Sequence, residues 1–319
     1  MSKNYILQTH NLEKKYGQNL VLSNINLALE KGKIYGLIGK NGAGKTTFMR
    51  LVCKLSFPTG GIIELFGKSK EKEYTKELGK VGVLIEYPSL LGKMTAKENL
   101  RINKIIRGVK TTETEEELLK LVGLGSVGQK KVKDFSLGMR QRLGIAIAVQ
   151  SNPELLILDE PVNGLDPIGV IEIRELIKEL NEKRGMTIVI SSHNLPELYQ
   201  TATDYIILDK GVVKKVISQE ELEKECRNYI EVECDDAKKL ATFINQELQS
   251  KKGKGKDGDE SIVGIITDKK VRLYNFNGEE KEEIMALIYK SNSEIYDFST
   301  KEESLENYFV KVIGEIENV

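Results

Sequence analysis

The chain has 319 residues, enough for two domains of roughly 100–200 residues each. Lys and Arg together number 48 and so do Asp and Glu, and this zero net charge argues against a generally basic nucleic-acid-binding protein. The cysteines form no C-x-x-C pair, no apolar run reaches the roughly 18 residues of a membrane-spanning helix, and the first residues lack a signal-peptide pattern. We therefore expect a soluble cytoplasmic protein that reaches a membrane only through a partner.

The first thirty residues alternate between apolar and polar side chains, which predicts strands over Tyr5–Asn11 and Leu20–Leu29. Tyr16 lies in the polar stretch between them. An aromatic ring at such a strand end can stack on an adenine base, or it can simply pack at the edge of the sheet. The spacing favours neither interpretation.

A glycine-rich loop follows the apolar strand Ile34–Ile38 and precedes a helix near Phe48. It matches the pattern G-x-x-x-x-G-K-[ST] in the strand–turn–helix context that this pattern requires. Its glycines let successive backbone N–H groups point inward at a helix N-terminus, which makes an anion-binding nest. The lysine would reach the terminal phosphates, and the first threonine would bind magnesium. The predicted nucleotide-binding residues here are Gly39, Lys40, Asn41, Gly42, Ala43, Gly44, Lys45, Thr46 and Thr47.

Strands and helices alternate from Gly60 to a hairpin at Gly211, which predicts a mostly parallel α/β sheet with an antiparallel layer from the early strands. A capping-box pattern at Thr95 opens a helix to about residue 107, and a second helix is predicted over 113–121. Together with a helix capped by Ser136, they form a helical insertion over about residues 90–150.

Two strands end on polar side chains. The strand Leu155–Leu158 is followed by Asp159 and Glu160, and a later strand ends before His193. A buried parallel strand delivers such residues to the rim of a sheet. Asp159 would hold magnesium together with Thr46, and Glu160 would accept the proton of an attacking water.

Residues 228–319 predict a separate block with the order βαββαβ and a final helix, which suits a small α+β sandwich. A charged helix near 219–227 connects this block to residues 1–220. The run Lys251–Gly258 is typical of a solvated loop. The block contains no evident chemical constellation.

In type and order, the motifs of residues 1–220 resemble those of the nucleotide-binding subunits of ATP-binding cassette (ABC) transporters. The resemblance implies a P-loop NTPase domain of the α/β class. The matching motifs are Walker A at Gly39–Thr46, the signature region at Ser136–Gln141, Walker B at Leu155–Glu160, the D-loop at Asn163–Asp166, the switch histidine His193 and the adenine-stacking Tyr16.

The resemblance also implies a mechanism. Two such subunits would enclose ATP and Mg²⁺, and each site would combine the loop of one subunit with Ser136 and Gly138 of the other. Glu160 and His193 would be catalytic, and Asp166 would belong to the nucleotide site. The homo- or heterodimer would drive a separately encoded permease from the inner face of the cell membrane, with no nucleic-acid partner.

Two positions depart from the usual family pattern. The signature reads Phe-Ser-Leu-Gly-Met instead of Leu-Ser-Gly-Gly-Gln, and Glu86 stands where most members have a glutamine that touches magnesium. We therefore add Glu86 to the candidate metal ligands, although spacing alone favours a surface glutamate at a strand end. Both departures resemble the bacitracin and lantibiotic exporter and self-immunity ATPases, which implies transport of an antimicrobial peptide.

Other functions remain open at this point. A soluble ABC ATPase of translation or DNA repair usually has two cassettes or long coiled coils, whereas this chain has one Walker A motif and no sustained heptads. A P-loop kinase or GTPase would leave the Ser136 and His193 regions unexplained, and no N-K-x-D motif is present.

Overall fold

The computed structural model describes residues 4–226, 228–251, 263–274, 278–302 and 304–313. It divides into two compact units, Met1–Gln219 and Glu220–Val319. Each unit has its own sheet structure and its own apolar core.

The first unit begins with a β-hairpin and then alternates strands and helices. Its elements are, in chain order, β1 (Tyr5–Tyr16), β2 (Asn19–Glu30), β3 (Ile34–Ile38), α1 (Lys45–Val52), β4 (Gly60–Leu65), α2 (Glu71–Glu77), β5 (Val81–Leu84), α3 (Ala96–Ile106), α4 (Glu115–Leu121), α5 (Leu137–Val149), β6 (Leu155–Asp159), α6 (Pro167–Arg184), β7 (Thr187–Ser192), α7 (Leu195–Tyr199), β8 (Asp204–Asp209) and β9 (Val212–Ser218). A further helix, α8 (Gln219–Glu225), follows at the boundary between the units.

The larger sheet has the order β5-β6-β7-β3-β8-β9, and its strands are parallel except for β9. Every residue of β3, β6, β7 and β8 is buried, which explains why these strands are nearly continuous apolar runs. The predicted parallel α/β sheet is confirmed. Because β6, β7 and β3 are neighbours, the loops that follow their carboxyl ends meet at one edge of the sheet.

The predicted antiparallel layer is also confirmed, with the order β2-β1-β4. Strand β1 continues to Tyr16, although its apolar alternation predicted an end at Asn11. The backbone of Asn11 is left-handed, with φ of 48°, and the register with β2 shifts between Thr9 and Leu12. These irregularities break the two-residue period on which the sequence prediction depended.

Helix α1 is anchored in the core between the two sheets. Phe48, Met49 and Leu51 are buried in one apolar cluster with side chains of both sheets, including Leu29 and Leu155. This packing fixes the N-terminus of α1, where the glycine-rich loop ends.

The helices α3, α4 and α5 of the helical insertion all begin at side-chain caps. Thr95 and Glu98 form the predicted capping box of α3, and a second capping box at Thr114 opens α4. Ser136 caps α5, as predicted, because its Oγ accepts a hydrogen bond of 3.2 Å from the Met139 N–H.

The second unit is a four-stranded antiparallel sheet with helices. Its elements are β10 (Asn228–Cys234), α9 (Ala237–Lys251), β11 (Val263–Thr267), β12 (Lys270–Tyr274), α10 (Gly278–Lys290), β13 (Ile295–Glu302) and α11 (Leu305–Val312). The strand order is β11-β12-β10-β13, so the predicted βαββαβ order is present. The run predicted as a solvated loop after Lys251 lies outside the described residues.

Candidate active site

The glycine-rich loop needs its glycines for two different physical reasons. Gly42 and Gly44 are left-handed, with φ of 82° and 108°, a region that other residues rarely adopt. Gly39 does not have a positive φ, but a Cβ there would stand 2.4 Å from the carbonyl oxygen of Leu208. Gly39 is therefore required by a close approach of two backbones rather than by an unusual conformation.

A cavity of ≈ 340 Å³ opens over this loop at the N-terminus of α1. Backbone N–H groups at a helix N-terminus and the helix dipole both favour an anion there. The cavity is lined by Val21, by the loop residues Lys40, Asn41, Gly42, Ala43, Gly44, Lys45, Thr46 and Thr47, and by Glu160, Asn163 and His193. The loop, Glu160 and His193, which lie far apart in sequence, thus line one cavity.

Lys45 is buried, and its charge is held by oxygen atoms. Its Nζ donates a hydrogen bond of 2.6 Å to the Gly39 carbonyl and lies 3.5 Å from Glu160 Oε1. A buried ammonium group needs such partners, because removal from water destabilises an unpaired charge. A phosphate in the cavity would offer Lys45 a stronger, charge-assisted partner.

Both carboxylate oxygens of Asp159 accept hydrogen bonds from hydroxyl groups. The Thr46 hydroxyl donates to Oδ2 at 2.8 Å, and the Ser191 hydroxyl donates to Oδ1 at 2.6 Å. Ser191 Oγ also accepts a hydrogen bond of 2.9 Å from the Glu160 N–H. One network therefore joins the loop, the end of β6 and the end of β7.

Glu160 lies between two basic side chains. Its Oε2 is 2.8 Å from His193 Nδ1, while its Oε1 faces Lys45. The Glu160 backbone is left-handed, with φ of 48°. Partial burial raises the pKa of the nearby Glu197, an effect that His193 opposes and the Glu160 carboxylate reinforces. The Glu160 carboxylate is thus placed to accept a proton beside the loop cavity.

The residues at Thr46 and Asp159 fit a magnesium ion bound together with a nucleotide. Among the described residues, no group of three or more His, Cys, Asp or Glu side chains could hold a metal ion alone. Mg²⁺ commonly takes only one or two protein oxygens and completes its shell with phosphates and water. A threonine hydroxyl beside a carboxylate, at the edge of an anion cavity, supplies that donor set.

Glu86 lines a second cavity of ≈ 340 Å³, which it shares with Thr46, Asp159 and Glu160. Its backbone is left-handed, with φ of 61°. Its carboxylate forms an ion pair of 2.5 Å with Arg50, which lies one helical turn after Thr46 on α1. Glu86 therefore lies beside the candidate metal ligands, but its charge is directed to an arginine.

Seven predicted residues do not line the loop cavity, although all lie in the described part of the chain. Gly39, Asp159 and Glu86 are described above, and the other four are Tyr16, Ser136, Gly138 and Asp166. Ser136 caps α5, and Asp166 caps α6 by accepting a hydrogen bond of 3.3 Å from the Gly169 N–H. Gly138 has room for a side chain, since a Cβ there would meet only Leu165, at 3.4 Å. Tyr16 is half-exposed at the end of β1, and the Lys14 Nζ lies 4.6 Å from its ring centroid.

Ser191 and Asn163 are two site residues for which the sequence predicted no role of their own. Asn163 lines both cavities, and Ser191 contacts Asp159 and Glu160. The sequence signal was a hydroxyl at the end of an apolar strand. That signal becomes specific only when the strand order places β7 beside β6.

Comparison with known proteins agrees with this geometry. The ABC transporter family pattern matches residues 22–163. The bacitracin transport ATP-binding protein BcrA of Enterococcus faecalis is 40% identical over 314 residues, which cover 98% of each chain. The chain belongs to the ATP-binding subunits of ABC transporters. As a member of this family it is an ATP hydrolase, and the BcrA match is long enough to include the second unit.

This ABC subunit also resembles shorter relatives and solved cassettes. The lantibiotic transport ATP-binding protein SrtF of Streptococcus pyogenes is 42% identical over 228 residues, covering 70% of this chain and 97% of SrtF. A dimeric structure of the ATP-binding cassette MJ0796, in a post-hydrolysis state with ADP and Pi, is 28% identical with a TM-score of 0.60, covering 67% of this chain and 98% of that one. In the described ranges, no helix of this ABC subunit has the length and apolar character needed to cross a membrane.

Proposed function

We propose that this ABC subunit hydrolyses ATP·Mg²⁺ at the inner face of the cell membrane to power a separately encoded permease that exports, or gives resistance to, an antimicrobial peptide of the bacitracin or lantibiotic class. The observation that carries the proposal is the 40% identity to BcrA over 98% of both chains. A match of that extent covers the second unit as well as the cassette. The match therefore favours a function like that of BcrA over the general role of an ATP-binding cassette, which many transporters share.

In the proposed reaction, the loop N–H groups and Lys45 bind the phosphates of ATP. Thr46 and Asp159 would hold the metal, which when bound would supply positive charge beside the phosphates of ATP. Glu160 accepts a proton from the attacking water, and His193, 2.8 Å from Glu160 Oε2, orients that carboxylate. Tyr16 would stack on the adenine ring from the end of β1.

We further propose that the site is completed by a second subunit. A Cβ at Gly138 would meet only the Leu165 side chain, at 3.4 Å, so packing in its own chain does not require a glycine there. A partner's phosphate could approach the N-terminus of α5 most closely at such a position, together with the Ser136 region. The mass of the Glu160→Gln chain in solution, with and without ATP·Mg²⁺, distinguishes a second copy from a related chain.

The transport proposal is tested by resistance in living cells. The subunit is expressed with its neighbouring permease gene in a peptide-sensitive bacterium, and the minimum inhibitory concentrations of bacitracin and of a lantibiotic are measured. We expect the wild-type pair to raise one of them and the Glu160→Gln pair to raise neither. Antimicrobial-peptide transport would be rejected if cells with and without the wild-type pair were equally sensitive to each peptide. This result counts only when both proteins are present in the membrane fraction.

Glu86 is proposed to couple the nucleotide to the permease, because it lines a cavity with Thr46 and Asp159 and replaces the usual glutamine. A carboxylate accepts hydrogen bonds but cannot donate them, and it adds a negative charge near the metal. We expect Glu86→Gln to change permease-stimulated ATPase activity and transport. Unchanged values for both would end this hypothesis.

The second unit is proposed to stabilise the dimer. Residues 228–319 have a core of their own, centred on Ile230, Val232 and Leu240. We expect a chain that ends at residue 227 to bind ATP but to dimerise less. Undiminished dimerisation and ATPase activity in that truncated chain would contradict this role.

A further inference from the structure

Ser191 is a polar side chain in a fully buried strand. It is the fifth residue of β7, whose six residues are all buried, and its own exposure is 0%. A buried hydroxyl is unfavourable unless it forms hydrogen bonds. The partners of Ser191 therefore explain why a serine is tolerated there.

The strand register brings Ser191 beside the two carboxylates. In the parallel pairing of β6 with β7, Asp159 lies opposite Ser191. The Ser191 hydroxyl donates to Asp159 Oδ1 at 2.6 Å and accepts from the Glu160 N–H at 2.9 Å. A single buried hydroxyl thus contacts the side chain of one residue and the backbone of the next.

These two hydrogen bonds fix two different features of the site. With Thr46 on Oδ2 and Ser191 on Oδ1, the Asp159 carboxylate is held at both oxygens. Glu160 has a left-handed backbone, a conformation that is unfavourable for residues other than glycine. The hydrogen bond from its N–H to Ser191 helps to hold that conformation, in which the Glu160 carboxylate lies between Lys45 and His193.

We propose that Ser191 is a positioning residue for ATP hydrolysis, which orients Asp159 through its side chain and Glu160 through its backbone. The inference rests on the proposed roles of those two carboxylates. Ser191 lines neither cavity, so it acts through them and not on the nucleotide.

The test compares Ser191→Ala with wild type in the full chain. We expect kcat to fall about tenfold to a hundredfold, the value of one hydrogen bond to a charged group. The KM for ATP should stay close to wild type, because the phosphate loop is intact. The Glu160 amide should exchange its hydrogen faster, since its acceptor is gone. Ser191→Thr, which keeps a hydroxyl, should retain most of the kcat and the slow exchange.

Thr187→Val is the matched control. Thr187 begins the same strand, at the end of β7 away from the site, and is equally buried. Its hydroxyl accepts a hydrogen bond from the Gly32 N–H, which the valine variant loses. We expect this variant to keep the wild-type kcat and the slow exchange at Glu160. If Ser191→Ala does not fold, Ser191→Cys, whose thiol is a weaker donor, carries the same expectation.

Glu160→Gln separates this inference from the proposed function. If Glu160→Gln retains wild-type ATPase activity, the proposed hydrolysis site itself fails. If Glu160→Gln is inactive but Ser191→Ala matches Thr187→Val in both kcat and Glu160 exchange, only the positioning role of Ser191 is overturned.

Discussion

The glycine-rich loop and the signature region lie in the same unit but differ in their contacts within the chain. In the loop region, Lys45 and Asp159 have oxygen or hydroxyl partners at 2.6–2.8 Å. In the signature region, Ser136 caps its own helix, a Cβ at Gly138 would meet only Leu165, and Leu137 is 41% exposed. The loop is thus held by contacts within its own chain, and the difference supports the proposal that the signature region contacts a second subunit.

Glu160→Gln should have the largest effect on the loop region. Without a carboxylate, no group between Lys45 and His193 can take the proton from the attacking water. We expect steady-state ATPase activity to fall about 10²- to 10⁴-fold, with nucleotide affinity preserved. Activity is measured by phosphate release and affinity by equilibrium binding. Loss of ATP binding together with activity would mean that Glu160 shapes the cavity rather than the reaction.

Gly39→Ala should affect the loop region through folding. The new Cβ would meet the Leu208 carbonyl at 2.4 Å, so backbone must shift. Overpacking of this kind typically reduces the free energy of unfolding by about 1–3 kcal/mol. Thermal denaturation measures the loss, and an unchanged melting temperature would contradict the close approach.

Gly138→Asp should separate stability from function in the signature region. The residue lies in the first turn of α5, where a carboxylate is favoured by the helix dipole by about 0.3–1 kcal/mol. We expect the melting temperature to stay or rise, while ATP-dependent dimerisation and ATPase activity fall because the new charge repels the partner's phosphates. Gly138→Asn, which is similar in size but neutral, should be less impaired. Full activity in Gly138→Asp would remove Gly138 from the composite site.

Arg50→Met should have the smallest effect. The ion pair between Arg50 and Glu86 is half-exposed, and such pairs contribute about 0–1 kcal/mol to folding. We expect an unchanged melting temperature and a modest loss of affinity for ATP·Mg²⁺, because the Glu86 charge is then left uncompensated near Thr46. The double variant Arg50→Met/Glu86→Gln should regain that affinity. If the single and double variants bind ATP·Mg²⁺ equally, the pair has no influence on the metal site.

Local sequence signals predicted most of the fold. The capping box at Thr95 and the cap at Ser136 are local patterns, and the structure has both. The apolar run before Asp159 is likewise a buried strand. The course of β1 beyond Asn11 was missed because a left-handed residue breaks the alternation.

Contacts between distant residues were predicted less completely. The sequence predicted that Asp159 and Thr46 act together, but the hydrogen bond from Ser191 to Asp159 depends on which strands are neighbours. The different requirements of Gly39 and Gly138 depend on the atoms around them, which one sequence does not specify.

The central claim, that this subunit supplies half of an ATP site and a second subunit supplies the other half, is tested most directly by the mass of Glu160→Gln in solution. Light scattering after size exclusion is measured with and without ATP·Mg²⁺. We predict a monomer without nucleotide, a dimer with it, and a monomer in both conditions when Gly138→Asp is added. A Glu160→Gln protein that binds ATP and remains a monomer would contradict assembly of the site from two copies of this chain.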